Sequence, residues 1–234
     1  MGVCNLLNSY MTKNERSISQ PRAYFSPIGR LRMLAGDPAL DFANTLHWRG
    51  GIEVDFLPDY QALSDWSVPA GLLKEDERRS LVDMALAHPQ DAQATHRAAI
   101  DLRNAWRQNL SQRIGSGSLY SPKSNQATTL APVLTSALGD PQLLISPNAG
   151  ASGKEAHFLF LPVARVALAI ASLELIPGDR KLGRCEGDPC GGFFLNTSRS
   201  KPRRWCSMDS CGNRAKVRDF RSRFVVGERE NRDG

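Results

Sequence analysis

CEGDPCGGFFLNTSRSKPRRWCSMDSCGNR, residues 185–214, decides how the C-terminal part of this chain folds. Its four cysteines fall as two pairs, Cys185 with Cys190 and Cys206 with Cys211. Four residues separate the members of each pair and fifteen separate the pairs. Two close pairs a hairpin's length apart let four thiolates converge on one tetrahedral ion at about 2.3 Å. Four soft ligands with no open position describe a closed, structural zinc site holding one ion. The rival readings are an iron–sulfur cluster, whose ferredoxin spacings differ from this one, a redox pair, or four unrelated buried cysteines. Turn formers surround the first pair in Gly187-Asp188-Pro189 and Gly191-Gly192, and Phe193-Phe194-Leu195 supplies a strand and a small core. A segment this short cannot be held by burial alone, so the metal must contribute much of its folding energy. The fifth cysteine, Cys4, stands apart in a polar N-terminal stretch and is expected to be dispensable.

Beyond the last ligand the chain continues as a helix. At about 100° per residue, Val217, Phe220 and Phe224 make one apolar stripe. Arg214, Arg218 and Arg221 flank it on one side, Lys216 and Arg223 on the other. Arg199, Lys201, Arg203, Arg204 and Trp205 lead into the third ligand. From Arg180 onward there are 14 Lys/Arg against 7 Asp/Glu, so the net charge of +6 belongs to this end. Cations at this density suit phosphate oxygens, which makes duplex DNA the expected partner. The competing reading is a solvated basic surface around a zinc unit that only docks on the rest of the protein.

Toward the N-terminus the chain reads as mainly helical. Asp37-Pro38 is an N-cap followed by proline at the first helical position, which predicts a helix over 38–46. Further helices are expected from Pro58 to Val68, Lys74 to Ala87, Asp91 to Ile114 and Gln126 to Leu138, and from Pro162 to Leu175. In the longest, Ala99, Leu102, Trp106 and Leu110 repeat at helical spacing. Leu143-Leu144-Ile145 and His157-Phe158-Leu159-Phe160 read as the two strands of a β-hairpin. Pro177-Gly178-Asp179 then marks a boundary. The expected fold class is mainly α with some β: a mobile extension over 1–26, a helical domain with a small hairpin over 27–178, a treble-clef-like four-cysteine finger over 180–224 and a polar tail over 225–234.

Several function classes find little support. The N-terminal residues have no charged leader followed by an apolar run, which points to a cytoplasmic protein with reduced thiols. Phe158 to Ile176 is interrupted by Pro162, Arg165 and Glu174 and reads as a buried helix, not a membrane span. Histidines lack metal-ligand spacing, Gly115-Ser116-Gly117 is not a phosphate loop, and Asp41 with His47 has no accompanying nucleophile, so no enzyme is expected. Asn44, Arg49 and Arg103 are the candidates for a pocket in which arginines, Arg165 among them, clamp a small anion. The plainer reading of those residues is that they satisfy the backbone and cap helices.

Arg203 through Met208 and Cys211 through Lys216, with Cys185 and Cys190, resemble the signature of the CGNR zinc-finger family. Leu40-Asp41-Phe42-Ala43-Asn44-Thr45-Leu46, then Trp48-Arg49-Gly50-Gly51 and the block from Leu57 to Leu73, resemble the ABATE domain that precedes that finger. The resemblance covers roughly residues 28–224. It implies a zinc-binding, DNA-binding regulator of stress-responsive transcription whose larger domain senses a signal or forms a homodimer. The alternative is a zinc-stabilised protein-interaction module that binds no nucleic acid.

Overall fold

The computed structural model describes residues 32–49, 52–113, 127–139, 155–175, 181–198 and 201–230. Helix α1 (Pro38–Ala43) begins where the Asp37 carboxylate accepts the Ala39 N–H at 2.9 Å. Its residues Ala39 to Ala43 are all buried. It stops before the expected 46, because the Asn44 amide bonds back to Leu40 and Asp41 and the Thr45 hydroxyl caps Phe42 O at 2.7 Å. The chain then enters β1 (Leu46–Arg49), which pairs antiparallel with β2 (Ile52–Asp55).

Helix α2 (Tyr60–Ser67) is capped by Asp59, which accepts the Ala62 N–H at 2.7 Å. Pro58 thus sits outside the helix it was expected to open. Helix α3 (Glu75–Ala87) is followed by α4 (Pro89–Arg113). Then come α5 (Ala127–Ala137) and α6 (Leu161–Leu175). His157–Phe160 forms no strand: Glu155–Phe160 is a 3-10 turn leading directly into α6. Tyr60 Oη donates to Leu159 O at 2.9 Å and Leu159 is buried, so the run is apolar because it packs on α2. The other proposed strand, Leu143–Ile145, lies outside the described residues, as do the 1–26 extension and the Pro177–Asp179 break.

The segment His157–Leu175 is long and apolar enough to cross a bilayer. Its apolarity has another cause here: Val163, Val166, Ala167, Ile170 and Leu173 are buried in the core. That core joins them to Leu40 and Phe42 of α1, Leu63 and Trp66 of α2, and Leu102, Trp106 and Leu110 of α4. Trp106 Nε1 donates to Ala39 O at 2.8 Å, fixing α4 against α1.

The C-terminal unit is a hairpin of β3 (Lys181–Arg184) and β4 (Phe193–Asn196), then a π-helical turn over Met208–Gly212 that feeds helix α7 (Asn213–Glu230). The helix therefore continues past the expected end at Phe224. Side chains alternate across a strand, and β4 uses both faces. Phe193 and Leu195 belong to the helical domain's core, while Phe194 packs with Cys185, Cys190 and Cys211.

Candidate metal centre and basic surface

The four cysteine sulfurs lie within 4.8 Å of one another. Cys206 Sγ is 3.7 Å from both Cys190 Sγ and Cys211 Sγ. A tetrahedron with zinc–sulfur bonds of about 2.3 Å has edges of about 3.8 Å, so the cluster already has the size that zinc requires. Cys185, Cys190 and Cys211 are buried and Cys206 is partly so. The donor set is all thiolate and closed, and it fits one structural zinc ion.

Local backbone builds the site. Between β3 and β4, Cys185 N donates to Gly192 O at 2.8 Å and Cys190 N to Gly187 O at 2.5 Å, folding the first pair into a tight knuckle. Glu186 N donates to Arg204 O at 2.9 Å and draws in the segment carrying the second pair. Gly187 is required by space: a Cβ there would stand 2.9 Å from Cys211 Cβ and 3.3 Å from Cys185 Sγ. Gly183 is likewise forced, since a Cβ would meet the Phe194 ring at 2.5 Å.

The electrostatics call for a cation. Hydrogen bonds from the Cys190 and Cys206 thiols push Cys185 down to about 2. The thiolate so formed, accepting the bond from Cys190, pushes that neighbour up to about 12. All four sulfurs ionise together only with a positive charge among them, so metal uptake releases protons. Part of that charge comes from the chain. Arg214 donates from Nη2 to Cys211 Sγ at 2.9 Å, and Gly187 N approaches Cys185 Sγ at 3.4 Å. Donors behind the ligands hold them in orientation and tune the metal.

The basic residues divide by what they touch. Arg203 donates to Leu195 O at 2.5 Å and lies 4.8 Å from the Phe194 ring centre, bracing the finger. Arg204 pairs with Glu186 at 2.7 Å and stacks on Trp205 at 4.9 Å. Arg214 serves the metal site, and Arg218 faces Asp188 loosely at 3.8 Å. Lys201, Lys216 and Arg221 are exposed. Arg199 and the Arg223 side chain lie outside the described residues.

The proposed anion pocket is not assembled by its residues. Both Arg103 end nitrogens donate to Asp55 at 2.6 Å, and one also reaches Thr45 Oγ1 at 3.2 Å. Asn44 Nδ2 donates to Phe193 O, and its Oδ1 accepts Phe193 N–H, each at 2.8 Å. Arg165 is spent on Glu77 and Leu72 O. Asn44, Arg103 and Arg165 are thus each bonded within the fold; the Arg49 side chain lies outside the described residues.

Sequence reasoning gave three residues of this region other roles, Arg214 as a DNA contact, Gly187 as a turn former and Asn44 as a pocket residue. Arg214 had a signal, since a guanidinium one helical turn after a thiolate ligand can reach back to it. Gly187 had a weaker one as a glycine between two ligands. Asn44 had none, because its partner is 149 positions away.

Comparison with known families gives two consecutive matches. Residues 36–176 match the family described as ABATE, a "putative stress-induced transcription regulator", and residues 181–224 match the CGNR zinc finger. No curated protein matches the chain.

Proposed function

The chain belongs to the ABATE family and ends in a CGNR zinc finger, and from that premise we propose that it is a cytoplasmic transcription regulator gripping duplex DNA with its C-terminal module. The observation that carries this reading is the stance of α7. Among the described elements it packs chiefly on the turn that precedes it. Ala215 is buried, whereas Val217 and Phe220 are 49% and 61% exposed. Arg214, Arg218 and Arg221 follow at i, i+4 and i+7, which places them in one row beside that apolar strip. A helix about 10–12 Å across fits a major groove about 12 Å wide. Arg218 and Arg221 are the assigned base readers, while Lys201, Arg204 and Lys216 are assigned to phosphates. The chain acts by binding, and no catalytic step is assigned to it.

Zinc supports this role by fixing the direction of α7, since Cys211 sits in the turn from which the helix departs. The test is titration of duplex DNA across salt concentrations. Neutralising about three phosphates gives a log–log slope of about −2.7, and Arg204→Ala with Lys216→Ala shrinks its magnitude by about 2. A slope near zero refutes DNA binding. The exposure of Val217 and Phe220 favours a second reading, a protein-docking surface. That reading predicts binding that survives salt and fails with Phe220→Ala.

A further inference from the structure

We infer that the zinc centre and the helical domain form one cooperative unit, joined by β4 and Asn44, so that metal occupancy sets the state of the whole chain. The physical path is short. Cys190 is a ligand, and two residues on, Gly192 lies so close under Asn44 that a Cβ there would stand 3.3 Å from Asn44 Oδ1 and 3.6 Å from Cys190 Sγ. Asn44 then grips the next residue, Phe193, by both its N–H and its C=O. Two residues further, Leu195 N donates to Ala35 O at 2.8 Å. Ala35 is itself held, because its N–H and that of Leu34 both donate to Asp41 Oδ1 at 3.1 Å.

Apolar packing follows the same route. Phe193 and Leu195 fill the core that contains Phe42, Trp66 and Trp106, and Arg107 lies 5.8 Å from the Phe193 ring centre while donating to Leu46 O at 2.8 Å. Phe194, between them, is the floor of the thiolate cluster. One strand thus carries the metal site on one face and completes the helical core with the other. Without metal nothing bonds the two cysteine pairs to each other and the knuckle opens, and a segment too small to fold by burial loses its own face of β4. The helical domain then loses the order of its other face. Reciprocity follows: whatever secures Asn44 and α1 raises zinc affinity by the same factor. The inference does not depend on DNA binding.

The test uses full-length, zinc-loaded protein with Trp48→Phe and Trp205→Phe, leaving Trp66 and Trp106 in the helical core as the emitting residues. Zinc is withdrawn with a chelator under reducing conditions and then restored. The expected result is a single melting transition at Trp66 and Trp106 that falls by about 10 °C on chelation and recovers with zinc. Amides of Leu34, Ala35 and α1 should exchange at least tenfold faster without metal. Asn44→Ala should weaken zinc binding about tenfold in competition with a chromogenic chelator, although residue 44 is no ligand. If Asn44→Ala folds too poorly to titrate, Asn44→Asp keeps the acceptor for Phe193 N–H, loses the donor to Phe193 O and carries the same test. A tryptophan transition and exchange rates that ignore chelation overturn the inference, and so does wild-type zinc affinity in the Asn44 variant.

Discussion

Asp55→Ala and Arg103→Met remove the two halves of one ion pair, yet they should differ sharply in cost. The Arg103 side chain is 2% exposed and that of Asp55 is 38% exposed. Truncating Asp55 strands a buried guanidinium whose Nε already lacks a partner among the described residues, and it also removes the acceptor of the Leu57 N–H. Breaking a buried pair in this way costs about 3–5 kcal/mol. Arg103→Met replaces the cation with an apolar chain of similar volume, and Asp55 turns toward water, so the cost should be about 1–2 kcal/mol. Adding Arg103→Met to Asp55→Ala should therefore restore about 2 kcal/mol. Urea unfolding at neutral pH with zinc saturating, followed by tryptophan emission, measures all four corners of the cycle. If Arg103→Met proves the costlier change, or Asp55→Ala costs under about 1 kcal/mol, the asymmetry argument fails. The pH sign is also fixed. Burial pushes the Asp55 carboxyl up, but the Arg103 and Leu57 hydrogen bonds outweigh it and hold it below the ordinary value. Its contribution is thus present at neutral pH and lost as pH falls through the carboxylate range.

Gly187→Ala should lower zinc affinity at least tenfold in chelator competition without touching a ligand, because its Cβ would force Cys211 and Cys185 apart; unchanged affinity would contradict the packing argument. Arg214→Ala should leave zinc bound but weaken it about tenfold and speed alkylation of Cys211, the usual scale for losing a donor behind a ligand. Mass spectrometry of the alkylated cysteines reads that directly, with equal labelling at Cys211 the adverse result. Asp41, raised by burial from 3.8 to about 6 despite the Ala35 and Leu34 amides, is held more tightly as the acid when folded. Its stabilising contribution is full below pH 3.8 and lost as pH rises through about 6, so Asp41→Asn should gain about 1 kcal/mol relative to wild type between pH 5 and pH 7. Paired urea titrations of zinc-loaded proteins check this, and a pH-independent difference would rule it out.

What was legible in the sequence was what is determined locally. The ligand set could be read because its members sit in two short knuckles whose turn residues lie between them. Most helices could be read from caps and spacing: Asp37-Pro38 and the Leu102–Trp106–Leu110 row each act within a few turns. The hairpin was misplaced because the apolar run Phe158-Leu159-Phe160 suits a buried turn as well as a strand, and only packing against Tyr60 settles it. The true β1–β2 pair carried a signal in Gly50-Gly51 between two short runs, but strands of four residues have little periodicity to detect. The roles of Asn44, Arg103 and Phe193 depend on partners from distant parts of the chain. Arg103 read as a candidate clamp because its counter-ion, Asp55, precedes it by 48 residues.

The two faces of β4 bear on how this architecture can be taken apart. Sequence comparison invites a cut between the two family matches, with either half treated as a portable part. Such a cut would expose Phe193 and Leu195 on one fragment and the groove they fill on the other, producing two adhesive surfaces that the intact chain keeps buried against each other. A finger grafted elsewhere would need a host offering an asparagine clamp and a free carbonyl at the positions Asn44 and Ala35 supply here. Inheritance faces the same constraint: a recombination that swaps one half must bring a matching seam from the other, so the two halves are expected to travel together and to change together along that strand.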